Sequence, residues 1–159
     1  MAQAVPENTC QVRMGGKWCS SSGEAEGWWR TVAGSLLSLE FDRSSVTRVR
    51  HLVMVSAQEA GLEGIVLEDF VLAVHEAVAN AIRYGSPPRG IAMWSEAGSL
   101  VCEITDKGPG IPAEVLEREE PATKFDFGGR GLWLMNRLAD LAVRTGADGT
   151  TIRLCVTLP

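Results

Sequence analysis

One segment constrains the fold of this 159-residue chain more than any other. Between Val66 and Tyr84, the residues Phe70, Val74, Ala77, Val78 and Ala81 recur at helical spacing, and Gly85, Pro87 and Pro88 then end the run. A helix with one apolar stripe must bury that stripe against a second layer. Two short strand-like runs follow directly, 90–96 and 99–105, joined by Ala97-Gly98. In the second run Leu100, Cys102 and Ile104 alternate with Val101, Glu103 and Thr105, the period of two expected of a half-buried strand. A helix that hands over to paired strands sets up helices lying on a sheet.

The flanking sequence fits that frame. Residues 35–42 read as a first strand. Ser44 or Ser45 then offers an N-cap for a helix over 45–60, with Val46, Val49, Leu52, Val53 and Ala57 on its apolar side and Gly61 at its end. A turn-rich loop spans 106–130, and a helix is predicted from Gly131 to about Leu141 with Leu132, Met135, Leu138 and Ala142 on one side. Two last strands, 142–146 and 150–158, are linked by the hairpin signal Gly146-Ala147-Asp148-Gly149. The order β-α-α-β-β-loop-α-β-β predicts an α+β two-layer sandwich, a mixed and mostly antiparallel sheet with helices packed on one face. Residues 1–27 read as a polar, glycine-rich arm and residues 28–159 as the folded domain, which Trp28 and Trp29 begin. A partner-binding role for the arm is the alternative.

Composition removes several classes of function. A net charge of −5 and no Lys/Arg cluster argue against direct nucleic-acid binding, which relies on neutralising phosphates. Arg43, Arg48 and Arg50 read as one solvated helix face. The four cysteines, Cys10, Cys19, Cys102 and Cys155, form no C-x-x-C pair, so zinc and thiol-redox sites have no support, and Cys102 and Cys155 read as small buried hydrophobes. There is no apolar stretch of membrane-spanning length and no basic-then-apolar leader, so the expected compartment is the cytosol with no membrane partner.

Four short motifs carry chemistry. Glu76 and Asn80 are four residues apart on the 66–84 helix and project from one face. A carboxylate beside an amide can hold a hydrated divalent cation or orient a hydroxyl for proton transfer, and alone the pair reads equally as a solvated face. Asp106-Lys-Gly108-Pro-Gly110 stands at a strand end, where the glycines admit close ligand approach and the carboxylate can accept from the exocyclic amine of adenine. Gly128-Gly129-Arg130-Gly131 feeds a helix N-terminus, an anion-binding arrangement to which Arg130 adds a charge. It is neither a P-loop nor a dinucleotide fingerprint. Gly149-Thr150-Thr151 opens the last strand with hydroxyls able to join a water network.

The order and spacing of these motifs resemble the GHKL ATPase superfamily of gyrase, Hsp90, histidine kinases and MutL, over residues 35–158. Within it, the compact size, Thr123-Lys124 in the loop, and Gly-Arg-Gly-Leu-Trp-Leu-Met followed by Leu-Ala-Asp-Leu resemble the bacterial anti-sigma-factor serine/threonine kinases. The resemblance implies ATP and Mg²⁺ as cofactors. Asn80 would coordinate Mg²⁺ and Glu76 would be the general base. Asp106 would bind the adenine amine, supported through water by Thr150. Gly108 and Gly110 would bring backbone close to the nucleotide. Residues 111–130, with Lys124, would form a lid hinged at Gly129 and Gly131, with Arg130 near the terminal phosphate. The implied partners are a sigma factor, held through the 45–60 helix, and a small antagonist protein that is phosphorylated; a homodimer through the first strand is a further expectation. A non-catalytic ATP-binding switch and a stand-alone histidine-kinase-like module are the competing readings. The family's His-Gly after the Asn motif is Tyr84-Gly85 here, and His75 reads as a packing residue.

Overall fold

The structure is a computed structural model that describes residues 10–14, 17–21, 35–116 and 130–159. Chain order gives strands β1 (Cys10–Met14), β2 (Lys17–Ser21) and β3 (Ser35–Glu40), then helices α1 (Val46–Glu59) and α2 (Gly64–Arg83). Strands β4 (Gly90–Glu96) and β5 (Ser99–Asp106) follow, then the short α3 (Ala113–Leu116), α4 (Arg130–Leu138), β6 (Asp140–Gly146) and β7 (Gly149–Thr157).

The strands form one sheet in the order β2-β1-β6-β7-β5-β4-β3. The α+β reading holds, and each described pairing is antiparallel where a mixed and mostly antiparallel sheet was expected. The connections explain this: β4 to β5 and β6 to β7 are tight hairpins, which only antiparallel neighbours can share. At Ala97 (φ 49°) and Gly98 (φ 78°) both central residues take positive φ, the geometry that matches strand twist in a two-residue turn. Within the segment read as an arm, β1 and β2 make a hairpin, and β1 pairs with β6. The sequence between them is Gly15-Gly16, a turn signal that the polar composition concealed.

The core lies between the sheet and helices α1, α2 and α4. Phe70, Val74 and Val78 of α2 meet Met93, Leu100, Cys102, Ile104 and Leu154 of the sheet and Met135 of α4, all under 3% exposed. The helix α1 starts differently from the expectation. Ser45 makes no side-chain cap; Asp42 instead accepts from the backbone N–H groups of Ser44 and Ser45, and the Ser45 hydroxyl bonds back to the Asp42 N–H at 2.9 Å. This reciprocal box caps a short 3₁₀ turn, Arg43–Ser45, that leads into α1. The hydroxyl of Ser44 holds the Asp42 carboxyl below its usual range.

Two strand expectations are corrected. Helix α4 ends at Leu138, not Leu141, because Leu141 pairs with Leu154 across the sheet and is buried there. Helical and strand phases overlap at Leu138 and Leu141, and the sheet partner decides between them. Strand β5 is not half-buried: Val101 and Glu103, on the side away from the helices, are 3% and 7% exposed. Glu103 is paired with Arg153 of β7, whose guanidinium also sits 5.5 Å from the Trp94 ring centroid. Cys102 is buried as expected, whereas Cys155 is only partly buried; burial pushes the Cys102 thiol well above its ordinary range and raises that of Cys155.

Candidate functional site

The end of α2, the end of β5 and the start of β7 meet at one side of the sandwich. Three close backbone contacts build the junction. A Cβ on Gly85 would fall on the Asp106 side chain and lie 2.6 Å from the Ala81 carbonyl oxygen; one on Gly108 would lie 2.7 Å from the Cα of Gly85. The Lys107 N–H donates to the Ser86 carbonyl at 2.9 Å. Arg89 closes the helix end, its Nε donating to the Ala81 carbonyl at 2.8 Å and its Nη2 to the Gly85 carbonyl at 3.3 Å. The Ala81 carbonyl also accepts from the Gly85 N–H at 3.2 Å, and a cation at a helix C-terminus interacts favourably with the helix dipole.

Over this junction opens a cavity of about 470 Å³, within the range of small-molecule sites. Its walls are Asn80 and Tyr84 from α2, Ile104 and Asp106 from β5, Gly110 and Ile111 from the loop, and Thr150 and Ile152 from β7. The floor is apolar and the polar groups are few, as a planar heteroaromatic ligand requires. Asp106 is the fixed carboxylate. Its Oδ1 accepts from the Gly108 N–H at 2.7 Å. Burial pushes its carboxyl above the usual range, against the opposing pull of the Gly108 N–H and of Arg89. A half-buried carboxylate held by backbone N–H groups still has lone pairs for a ligand N–H.

Thr150 is 7% exposed and its hydroxyl lies 2.8 Å from that of Thr145. Thr145 Oγ1 also accepts from the Ile111 N–H at 2.7 Å. One hydroxyl therefore ties the start of the loop to the threonine in the cavity wall. Gly110 (φ 89°) fits beneath it, where a Cβ would lie 2.6 Å from the Gly146 carbonyl oxygen.

At the other end, Glu76 and Asn80 converge on the first turn of α4. A Cβ on Gly131 would stand 3.1 Å from Asn80 Nδ2 and 3.3 Å from Glu76 Oε2. Arg130 is exposed at the start of that helix and makes no ion pair among the described residues. Asn80, Asp106, Gly110 and Thr150 thus share the cavity wall; Gly108 backs Asp106, and Glu76 and Gly131 adjoin Asn80 just beyond it. Lys124 and Gly129, with Thr123, lie outside the described residues. Sequence reasoning missed Thr145 and Arg89. The hairpin signal at 146–149 held the clue to the first, since it sets Thr145 opposite Thr150. No local pattern marks Arg89, which follows two prolines and reaches back to the carbonyls of Ala81 and Gly85 only because the chain reverses at the helix end.

A carboxylate at a strand end, an amide and a second carboxylate on one helix, and glycines at each backbone approach are joined by a direct comparison: the family model for the histidine kinase-like ATPase domain matches residues 39–156. The chain belongs to the histidine kinase-like ATPase domain family. Membership implies ATP binding. Among solved structures, the histidine kinase domain of a blue-light-activated histidine kinase from Erythrobacter litoralis is similar, with a TM-score of 0.50 and 16% identity, covering 72% of this chain and 64% of that one. The mycobacterial sensor histidine kinase MprB gives 0.47 and 20%, covering 76% and 97%. The histidine kinase domain of the E. coli osmosensor EnvZ gives 0.44 and 19%, covering 81% and 92%. Identities this low are a likeness of fold alone. A comparison with curated proteins finds no match. No helix among the described residues is long and apolar enough to cross a membrane.

Proposed function

We propose that this ATPase domain is a protein serine/threonine kinase that phosphorylates a small antagonist protein and sequesters a sigma factor in the cytosol. The observation that carries the reading is the convergence of Glu76 and Asn80 on Gly131, at the opposite end of the site from Asp106. Asp106 takes the adenine amine, with Thr150 beside it, so the phosphates run toward α4. There Asn80 offers an amide oxygen for Mg²⁺. The described residues gather no cluster of three or more acidic, His or Cys ligands. That suits Mg²⁺, which keeps its waters and shares substrate phosphates instead of sitting in a protein cage. The ion would neutralise charge on the phosphates.

Glu76, one helical turn before Asn80, is placed to accept a proton from the attacking hydroxyl. Arg130, exposed at the α4 N-terminus, adds positive charge for the terminal phosphate. Phosphoryl transfer asks mainly for positioning and charge neutralisation, and these side chains supply both. The motif resemblance to anti-sigma-factor kinases supports the choice of a serine or threonine acceptor and of a sigma factor as second partner.

The test pairs two variants with labelled ATP and candidate antagonist proteins. Asn80→Ala is expected to abolish Mg-ATP binding, and Glu76→Ala to keep binding and stop transfer. Normal transfer by Glu76→Ala would remove the base assignment. The competing reading is an ATP-binding switch without transfer. Tight ATP binding with no labelled product from any antagonist would select it.

A further inference from the structure

The outward face of α2 continues past the nucleotide site. At 100° per residue, Ile65, Asp69, Leu72 and Glu76 fall within about 60° of one another on the helix. The apolar members are unusually open: Ile65 is 75% exposed, its neighbour Val66 51% and Leu72 38%. Single surface leucines need no explanation, but adjoining large apolar residues along one stripe mark a binding surface. Ile65 and Leu72 are seven residues apart, the repeat with which one helix seats another.

From Ile65 to Glu76 the charges of α2 itself have one sign; the bordering cations are Arg83, on the same face two turns beyond Glu76, and Arg50 of α1, beside Val71 and His75. From His51 to Ile82 the chain carries Glu59, Glu63, Glu68, Asp69 and Glu76 and no lysine or arginine. Glu59, Glu63 and Glu68 are exposed and Asp69 is half-buried, and none of the four is in an ion pair among the described residues. Glu63, Glu68 and Asp69 fall within about 9 Å of helix rise at the start of α2, and carboxylates that close add their potentials and select for positive charge.

We propose that the Ile65–Leu72 face of α2 docks a basic amphipathic helix of a partner protein, with apolar residues at seven-residue spacing and lysines or arginines beside them. A second copy of this chain is disfavoured as the occupant, because a twofold contact would oppose the same carboxylates. Leu72 lies one turn before Glu76, so a helix seated here leads into the phosphate end of the cavity. Only that last point, what the docked segment is delivered to, rests on the phosphotransfer reading; the docking does not.

The probe is a labelled synthetic peptide of three heptads with leucine at the seam and lysine beside it, against a twin carrying glutamate for lysine. Anisotropy is read with the full chain at physiological salt, without nucleotide. The expected result is saturable binding of the lysine peptide only. Ile65→Ser/Leu72→Ser weakens it about tenfold or more, and Glu68→Lys/Asp69→Lys moves the preference toward the glutamate peptide. These positions are at the surface, and unchanged unfolding midpoints verify that the variants fold. Equal binding of both peptides, no binding, or binding untouched by the serine pair overturns the proposal. An ATP titration of the same samples separates the two readings. Peptide binding without ATP binding sinks the nucleotide assignment alone, and ATP binding without peptide binding sinks the docking face alone.

Discussion

Gly85 and Gly108 meet backbone to backbone: a side chain begun on Gly108 would stand 2.7 Å from the Cα of Gly85. The contact locks the end of α2 to the loop after β5, and so sets Asn80 and Asp106 on the walls of the same cavity. Gly85→Ala places a Cβ on the Asp106 side chain and 2.6 Å from the Ala81 carbonyl oxygen, and the backbone side of that clash cannot swing away. The variant is expected to lose about 2 kcal/mol of stability and most of its ATP affinity. Chemical denaturation and ATP titration measure the two losses.

Asp106 is a carboxylate in a place that disfavours charge. Burial raises its pKa in the fold above its unfolded value. The ligand-free fold therefore gains stability from this group as pH falls through that raised pKa, and loses it as pH rises. Asp106→Asn should leave the unfolding midpoint at pH 7 unchanged or higher, while ATP affinity falls about tenfold or more through loss of a charged acceptor. In wild type, affinity should also decline on acidification at a higher pH than an ordinary aspartate would give. Comparison with Asp106→Asn cancels the nucleotide's own titration. A matching pH profile in both proteins would remove Asp106 from the site.

Thr145 joins the loop to the cavity wall through one hydroxyl, at 2.7 Å from the Ile111 nitrogen and 2.8 Å from Thr150 Oγ1. Thr145→Val keeps the shape and deletes the oxygen. Stability should fall by about 1 kcal/mol and ATP affinity by about fivefold. Serine at 145 should restore both, a rescue that a purely packing role would not give.

Glu103 is 7% exposed and held by Arg153. Glu103→Ala removes a charge-assisted hydrogen bond from a buried position, so it should cost about 2 kcal/mol in a denaturant titration. Glu103 and Arg153 face away from the helices while their neighbours Ile104 and Ile152 line the cavity on the other side of the sheet, which predicts an unchanged ATP affinity per folded molecule.

Much of the fold was legible because its elements are locally consistent. The α2 stripe, the Ala97-Gly98 turn and the hairpin at 146–149 each name one structure by spacing alone. The Glu76–Asn80 pair was legible for the same reason, since four residues always return to one side of a helix. Leu141 was misread because its helical and strand phases coincide, and Glu103 because alternation identifies the two faces of a strand without saying what lies against the second.

By itself the amino-acid order determined the elements, the layer in which the apolar side chains had to lie, and the candidate groups for a nucleotide. Only tertiary packing decided that Asp106 and Thr150 face Asn80 over one cavity, that Thr145 and Arg89 belong to the site's support, and that Arg153 neutralises Glu103. The physical reason is range. Helix and turn preferences act over three or four residues, whereas hydrogen bonds such as Arg153 to Glu103, 50 positions apart, exist only once the sheet has set its register.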